Sequence, residues 1–340
     1  MIPKSGNRFS EKIILSGFFK LRIAGLVLGL AAFAIAPGRA EDYPSRPIRI
    51  LSPYAPGGIS DIAARIVGGK MAEDWGQQIV VENRPGANGF IAMEVAAHAT
   101  ADGYTLVLCT VGDVAINPAL FKDIPYDFDR DFEPITSVSD APMVLATHGA
   151  SPYKSVADVI AAAIARPDAI GVATPGYGSM NHLVLESIQV NTGAKFVHVP
   201  YKGGAPAAQA LVAGDIPLGI IASSSAAPHL SGGSIRVLAV TTGQRTPLNP
   251  DWPTLREAGA GNVAMSNWTM LLAPKRTPQP ILDKLDAKVV DILNTDDVKQ
   301  RFAGGGVTTT ASTAAQLAAR VGREAAIYRL IVEKTHVHVD

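Results

Sequence analysis

Apolar positions along the chain switch between two periods, and that switching predicts an α/β protein. Residues 48–51, 78–82 and 104–110 read as short buried strands. Between them, Ile62, Ala63, Ile66, Val67 and Met71 have helical spacing and Gly76 closes the helix. A small-residue helix is expected over 90–97. This β-α-β-α-β succession argues for a parallel sheet with right-handed crossovers. After an irregular stretch over 111–131, strands are expected at 134–138 and 143–147, then a helix over 155–165 capped by Ser155. A second series follows. Strands at 170–173, 196–199, 216–222 and 235–241 alternate with helices at 179–191 and 205–213, and a short helix is expected at 225–230. Beyond Pro247, Pro250 and Pro253 come a short helix at 254–258, a Trp-containing strand at 267–273, and helices at 278–293 and 313–332. Too few strands remain for a third domain. The expected fold is therefore two α/β domains with a ligand cleft between them. Lobe 1 takes 41–142 plus 266–340, and lobe 2 takes 143–265.

The stretch IRILSPYAPGGIS over 48–60 runs from a strand through Pro-Gly-Gly into a helix, with Ser60 read as N-cap and Asp61 in the first turn. Helix starts leave amide N–H groups unpaired and carry partial positive charge, so they attract carboxylate or phosphate. Taken alone, this stretch is equally an ordinary strand-to-helix turn. A second turn of the same kind, TPGYGS over 174–179, begins the second series. In open parallel sheets ligands sit at the carboxyl ends of strands, where strand order reverses. The loops after Tyr54 and after Thr110 are therefore expected to face one site.

Composition narrows the class. Of 340 residues 47% are hydrophobic and only 18% charged, enough apolar content for two cores. Lys4, Arg8, Lys12, Lys20 and Arg22 precede an apolar run of about fourteen residues over 23–36, which is shorter than the roughly 20 needed to span a membrane. Small residues Gly38 and Ala40 follow. The pattern is that of a secretory signal peptide over 1–40, with cleavage expected after Ala40 and export to the periplasm. Removing its six basic residues and one acid leaves 24 basic and 29 acidic residues, a formal charge of −5. The basic field of a nucleic-acid binder is absent. The single cysteine, Cys109, is expected as a free buried thiol.

The catalytic inventory is thin. There is no Gly-x-Ser-x-Gly, His-Glu-x-x-His or GxxxxGK[ST] motif. His336 and His338 fall in a tail, and His98 at a helix end reads as a cap. His182, in the first turn after Ser179, is read either as holding the turn's shape or as touching ligand. Ser223, Ser224 and Ser225 read as helix caps rather than nucleophiles, because no paired base is evident. No catalytic residue, metal or cofactor is expected.

At this point ordered motifs carry a resemblance. YPSRPIRILSPYAPGGISDIAAR, VENRPGANG, ADGYTLVL, Pro125-Tyr126-Asp127 and TPGYGSMNHL resemble the tripartite tricarboxylate transporter (Bug-type) solute-binding receptors. So do HVPYKGGAPAAQALVAGD over 198–215, LAVTTGQR, PTLREAG and WTMLLAP, and the match runs from Tyr43 nearly to the C-terminus. The resemblance implies a monomeric periplasmic two-lobed protein that delivers a small organic carboxylate to membrane transporter subunits. It places ligand carboxylates on the amides of Gly57, Gly58, Gly178 and Ser179. Tyr54, Thr110, Thr174, His182 and Tyr201-Lys202-Gly203 lie nearby. One departure stands out. Where amino-acid receptors of the family carry an acid, this chain has Ile221, so a dicarboxylate or aromatic acid is expected over an amino acid. The competing classes are a secreted enzyme acting on small acids and a sensor that signals to a membrane partner.

Overall fold

The apolar run that opens the chain's folded part has no polar face, so it forms a strand buried on both sides: β1 (Ile48–Ser52). The computed structural model describes residues 43–201 and 203–335, together with Met1. The expected leader, Lys202, His336 and His338 lie outside these residues. From β1 the chain enters α1 (Ile59–Trp75), which buries Ala63, Ala64, Val67 and Met71 and ends at left-handed Gly76. Then come β2 (Ile79–Asn83), α2 (Phe90–Ala97) and β3 (Thr105–Thr110). The stretch expected to be irregular holds a π-helical turn over Gly112–Ile116 and two one-turn helices. Next are β4 (Phe132–Ala141), β5 (Met143–His148), α3 (Val156–Ala165), β6 (Gly171–Thr174) and α4 (Met180–Thr192). They are followed by β7 (Val197–Pro200), α5 (Gly204–Ala213), β8 (Leu218–Ala222) and β9 (Ile235–Val240). The C-terminal part supplies β10 (Asn267–Pro274), α6 (Gln279–Asn294), α7 (Asp296–Gly304), β11 (Thr308–Thr309) and α8 (Ala314–Thr335).

The strands form two sheets, ordered β11-β4-β10-β3-β1-β2 and β7-β6-β8-β5-β9. In the first, β1 runs parallel to β2 and β3 while β10 is antiparallel to β3 and β4. In the second, β6 runs parallel to β7 and β8 while β5 is antiparallel to β8 and β9. Each sheet thus repeats one plan, in which the strand before a glycine-rich turn lies between its next two parallel neighbours. The chain passes from first sheet to second between Ala141 and Met143 and returns before Asn267.

One buried cluster runs from Leu51 and Cys109 in the first sheet through Met180 and Trp268 to Leu145 and Leu218 in the second. Trp268 on β10 is fully buried; its Nε1 donates to Glu324 Oε2 at 2.9 Å, and the Arg320 guanidinium stacks on its ring at 4.0 Å. Both partners lie on α8, so this residue clamps the last helix onto the sheet. Cys109 is a free, buried thiol, as expected, and burial beside Asp113 pushes its pKa up.

Four local expectations need correction. Ser60 is not the N-cap of α1. Gly58 takes that position, and Ser60, one residue inside the helix, bonds Ser52 through its hydroxyl at 2.8 Å. Residues 254–258 form turns rather than a helix. There, Thr254 and Glu257 exchange side-chain-to-backbone bonds, and left-handed Gly259 and Gly261 follow. The expected short helix over 225–230 starts earlier, at Ser223–Ala226, and continues as a 3-10 turn over Ala227–His229. Its N-cap is Ala222, without a side-chain cap bond, so the serines are not caps.

Replacing Trp268 with Ala should destabilise the protein by about 3–5 kcal/mol, because it empties a large buried volume and releases α8. Urea unfolding would measure it, and a loss under about 1 kcal/mol would show that α8 is held elsewhere.

Candidate ligand-binding cleft

Because β1 and β6 each sit where strand order reverses, the loops at their carboxyl ends open toward one crevice. A cavity of about 690 Å³ lies there, within the range of small-molecule sites. It is lined from the turn after β1 (Tyr54, Gly57, Gly58, Ile59) and from the turn after β6 (Gly176, Tyr177, Gly178, Ser179). The ends of β3 and β8 contribute Thr110 and Ala222, and the crossings between sheets contribute Ala141, Met143 and Asn267.

The two turns share one backbone design. Gly57 is left-handed (φ 86°) and Gly58 caps α1 in extended conformation (φ −72°, ψ 163°). Gly178 is left-handed (φ 71°) and Ser179 caps α4 likewise (φ −67°, ψ 159°). A side chain at either glycine would be strained, which is why the sequence holds glycine there. In each turn the cap N–H reaches back three residues, Gly58 to the Ala55 carbonyl and Ser179 to the Gly176 carbonyl. In each, too, the left-handed glycine donates its N–H to the third helical residue: Gly57 to Asp61 Oδ2 at 2.9 Å, and Gly178 to His182 Nδ1 at 3.2 Å. The glycine amides are thus spent on holding the turn. The first turns of the two helices line the cavity through Ile59, Met180 and Asn181, and first-turn N–H groups have no intrahelical acceptor; in α4 the His182 N–H is taken by the Ser179 hydroxyl at 3.3 Å.

Both holding side chains are themselves anchored. Burial would raise the Asp61 carboxyl, but hydrogen bonds from Arg65, Gly57 and Asn83 outweigh it and hold the group below the usual carboxylate range. His182 accepts at Nδ1, which leaves the ring proton on Nε2, 3.4 Å from Glu186. Its ring stacks on His198 at 3.8 Å, and Tyr177 lies against both. Burial, with repulsion from His182, pushes His198 down to about 4. Thr174 Oγ1 bonds His198 Nε2 at 2.6 Å and the Gly176 carbonyl at 3.2 Å.

Behind the first turn sits a buried acid. Asp113 receives the Thr110 N–H at 2.7 Å, the Thr110 hydroxyl at 2.9 Å and the Tyr54 hydroxyl at 3.0 Å. Burial beside this carboxylate pushes the Tyr54 phenol well up. Tyr126, of the Pro-Tyr-Asp motif, donates to the Asp113 carbonyl at 2.6 Å, while Asn117 bonds both Tyr126 and the Asn88 carbonyl. Gly89 (φ 89°) packs against the same acid, and a Cβ there would fall onto Asp113 Oδ1. The motifs over 52–58, 82–89 and 125–127 therefore meet at one residue.

Of the expected site residues, Tyr54, Gly57, Gly58, Thr110, Gly178, Ser179 and Gly203 line the cavity. Thr174, His182, Tyr201 and Ile221 do not. Thr174 and His182 are buried supports of the second turn, and the Tyr201 N–H bonds the Thr174 carbonyl. Ile221 requires a correction: its side chain is fully buried in the cluster with Val144 and Val240. Strand residues alternate between faces, and it is the next residue, Ala222, that reaches the cavity. The sequence reading missed Arg301, which lines the cavity from α7. The signal for α7 was present in Thr295-Asp296-Asp297 at its start and the glycines over 304–306 at its end. Among the described residues no His/Cys/Asp/Glu group suits a metal. Ser223 donates to the Gly306 carbonyl at 2.9 Å.

Two predictions follow from the buried acid. Burial pushes the Asp113 carboxyl up to about 6, against the lowering hydrogen bonds of Thr110 and Tyr54. The native state then binds this proton more tightly than the unfolded chain, so the contribution to stability falls as pH rises through that window. Relative to Asp113→Asn, the wild type should gain about 2–3 kcal/mol between about pH 7 and about pH 4. Urea melts read it, and parallel profiles would contradict a raised Asp113. Gly89→Ala should cost about 2 kcal/mol or more through backbone strain and displacement of Asp113; an unchanged melting point would rule that contact out.

A family model described as tripartite tricarboxylate transporter family receptor (TctC) matches residues 63–336. Protein BugT of Bordetella pertussis is 33% identical over 93% of this chain and 97% of its own. The R. palustris protein Rpa4515, solved with adipate, is 32% identical with a TM-score of 0.78, over 87% of this chain and 99% of that one. MatC (Rpa3494) from Rhodopseudomonas palustris, with bound malate, is 32% identical with a TM-score of 0.73, over 85% and 100%. Joined to two α/β lobes and a cleft at their switch points, these matches place the chain in the tripartite tricarboxylate transporter receptor family, as a solute-binding receptor rather than an enzyme.

Proposed function

We propose that this receptor captures a small organic acid without an ammonium group and delivers it to membrane subunits of a tripartite tricarboxylate system. The observation that carries this reading is the cavity wall: two equivalent helix starts face it, and among the described lining residues there is no carboxylate. A bound ammonium would lack a counter-charge, which is costly in a partly apolar site. Ile221 takes no part in this selection, because its side chain is buried in the core. The adipate and malate of the two solved relatives are acids of this kind, which supports the reading.

Each carboxylate is held by first-turn amides of α1 or α4 rather than by the glycine amides. Charge-assisted bonds to N–H contribute roughly 1.5–3 kcal/mol each. Two or three of them, less the ordering cost, reach micromolar affinity, about −8 kcal/mol. A ligand touching both lobes favours their approach, with hinges at the crossings near 142 and 266, which also bound the lobes. The protein acts as a monomer in the periplasm after cleavage of its leader; among the described residues no helix is long and apolar enough to cross a membrane.

In calorimetry against a panel of acids, dicarboxylates should bind and aspartate and glutamate should not. Asp61→Ala and His182→Ala should each weaken binding about tenfold by releasing a turn. Tight binding of the amino acids, or full affinity in both folded variants, would overturn the assignment.

A further inference from the structure

The wall supplied by α7 carries the cleft's one described charged side chain, Arg301. Its nearest acid, Asp297, lies one helical turn away at 3.8 Å, a loose pairing, while Lys70 of α1 already holds Asp297 at 3.0 Å. The Lys70 hydrogen bond keeps Asp297 below the usual carboxylate range, so one carboxylate is shared between two cations. The Arg301 side chain is 56% exposed. The buried acids at the first turn are already occupied: Asp61 accepts from Gly57, Arg65 and Asn83, and Asp113 from Tyr54 and Thr110.

Position adds to charge. The Lys70–Asp297 pair ties α7 alongside α1, and from there both helices approach the cavity, α1 through Ile59 and Ile62 and α7 through Arg301 and Phe302. Arg301 is therefore carried by the helix that packs against α1, and it lines the same cavity as the start of α1. No described cation lines the cavity beside the start of α4, so the two anion stations are unequal.

We infer that Arg301 is a ligand-recognition residue: with the first-turn amides of α1 it forms the stronger of two carboxylate stations, the one that any bound acid fills first. A diacid fills both stations, one in each lobe. A monoacid of equal length fills one and leaves the other helix start to water. The guanidinium suits the role because its planar fork donates two parallel bonds to a carboxylate. The inference rests on the carboxylate reading above and adds to its main-chain donors one side chain that holds charge.

The test is calorimetric titration of hexanedioate and hexanoate into wild type, Arg301→Gln and Arg301→Lys, at low and high salt. Wild type should prefer hexanedioate, with affinity that falls as salt rises. Arg301→Gln should bind both acids about tenfold more weakly and lose most of the salt dependence. Arg301→Lys should recover most of the loss. Arg301→Gln binding either acid like wild type would overturn the role of Arg301 while leaving the carboxylate reading intact. Wild type binding neither acid would remove the carboxylate reading itself, and this inference with it.

Discussion

In each lobe a single backbone N–H, that of the left-handed glycine before the helix, is held by the side chain at the helix's third position. The pairs are Gly57 with Asp61 and Gly178 with His182. The rest of the cleft depends on these two bonds. They fix where each helix begins, and therefore where its first-turn donors point. One acceptor is a carboxylate and the other an imidazole, yet the backbone angles around them agree within about ten degrees except at the glycine itself, where they differ by 15°. The shared requirement is an acceptor at that position, and either chemistry satisfies it.

The chain supports the two holding residues by different means. Asp61 is paired with the Arg65 guanidinium and accepts a hydrogen bond from Asn83. His182 is set in a stack with His198 and Tyr177 and closed below by Thr174. Behind the first turn, the buried Asp113 gathers bonds from Tyr54, Thr110 and, through its carbonyl, Tyr126. Burying an acid is costly; here the cost is offset by three donors and gives the β1 and β3 loops a common fixed point.

Much of this was legible in the sequence. Strand-to-helix alternation and two Pro/Gly turns led to paired α/β units, and the short supply of late strands sent the C-terminal segment back to the first sheet, where β10 and β11 lie. Other features were not local and could not be read that way. Ile221 was placed by its position along the chain, but which face of a strand a residue occupies is set by pairing register, here with Val144 on β5. The occupancy of the glycine amides depends on a side chain four residues on, whose rotamer no periodicity reveals. Asp113 lay in a stretch without a repeating pattern, and its burial arises from residues up to 59 positions away. Arg301 was hidden because α7 is short and polar, so its apolar spacing at Val298 and Phe302 carried little signal.

The twofold use of one turn geometry has a consequence for how such a receptor can change. Negative charge is met largely by main-chain N–H groups, which every residue but proline possesses, with Arg301 as the one described charged side chain added to them. Substitutions at wall positions such as Met143, Ala222 or Asn267 reshape the space between the ends while leaving the main-chain donors in place. Affinity for charge and choice of molecular body are thereby carried by separate parts of the chain. A lineage of such proteins can explore new solutes without first dismantling its hold on the old kind of charge.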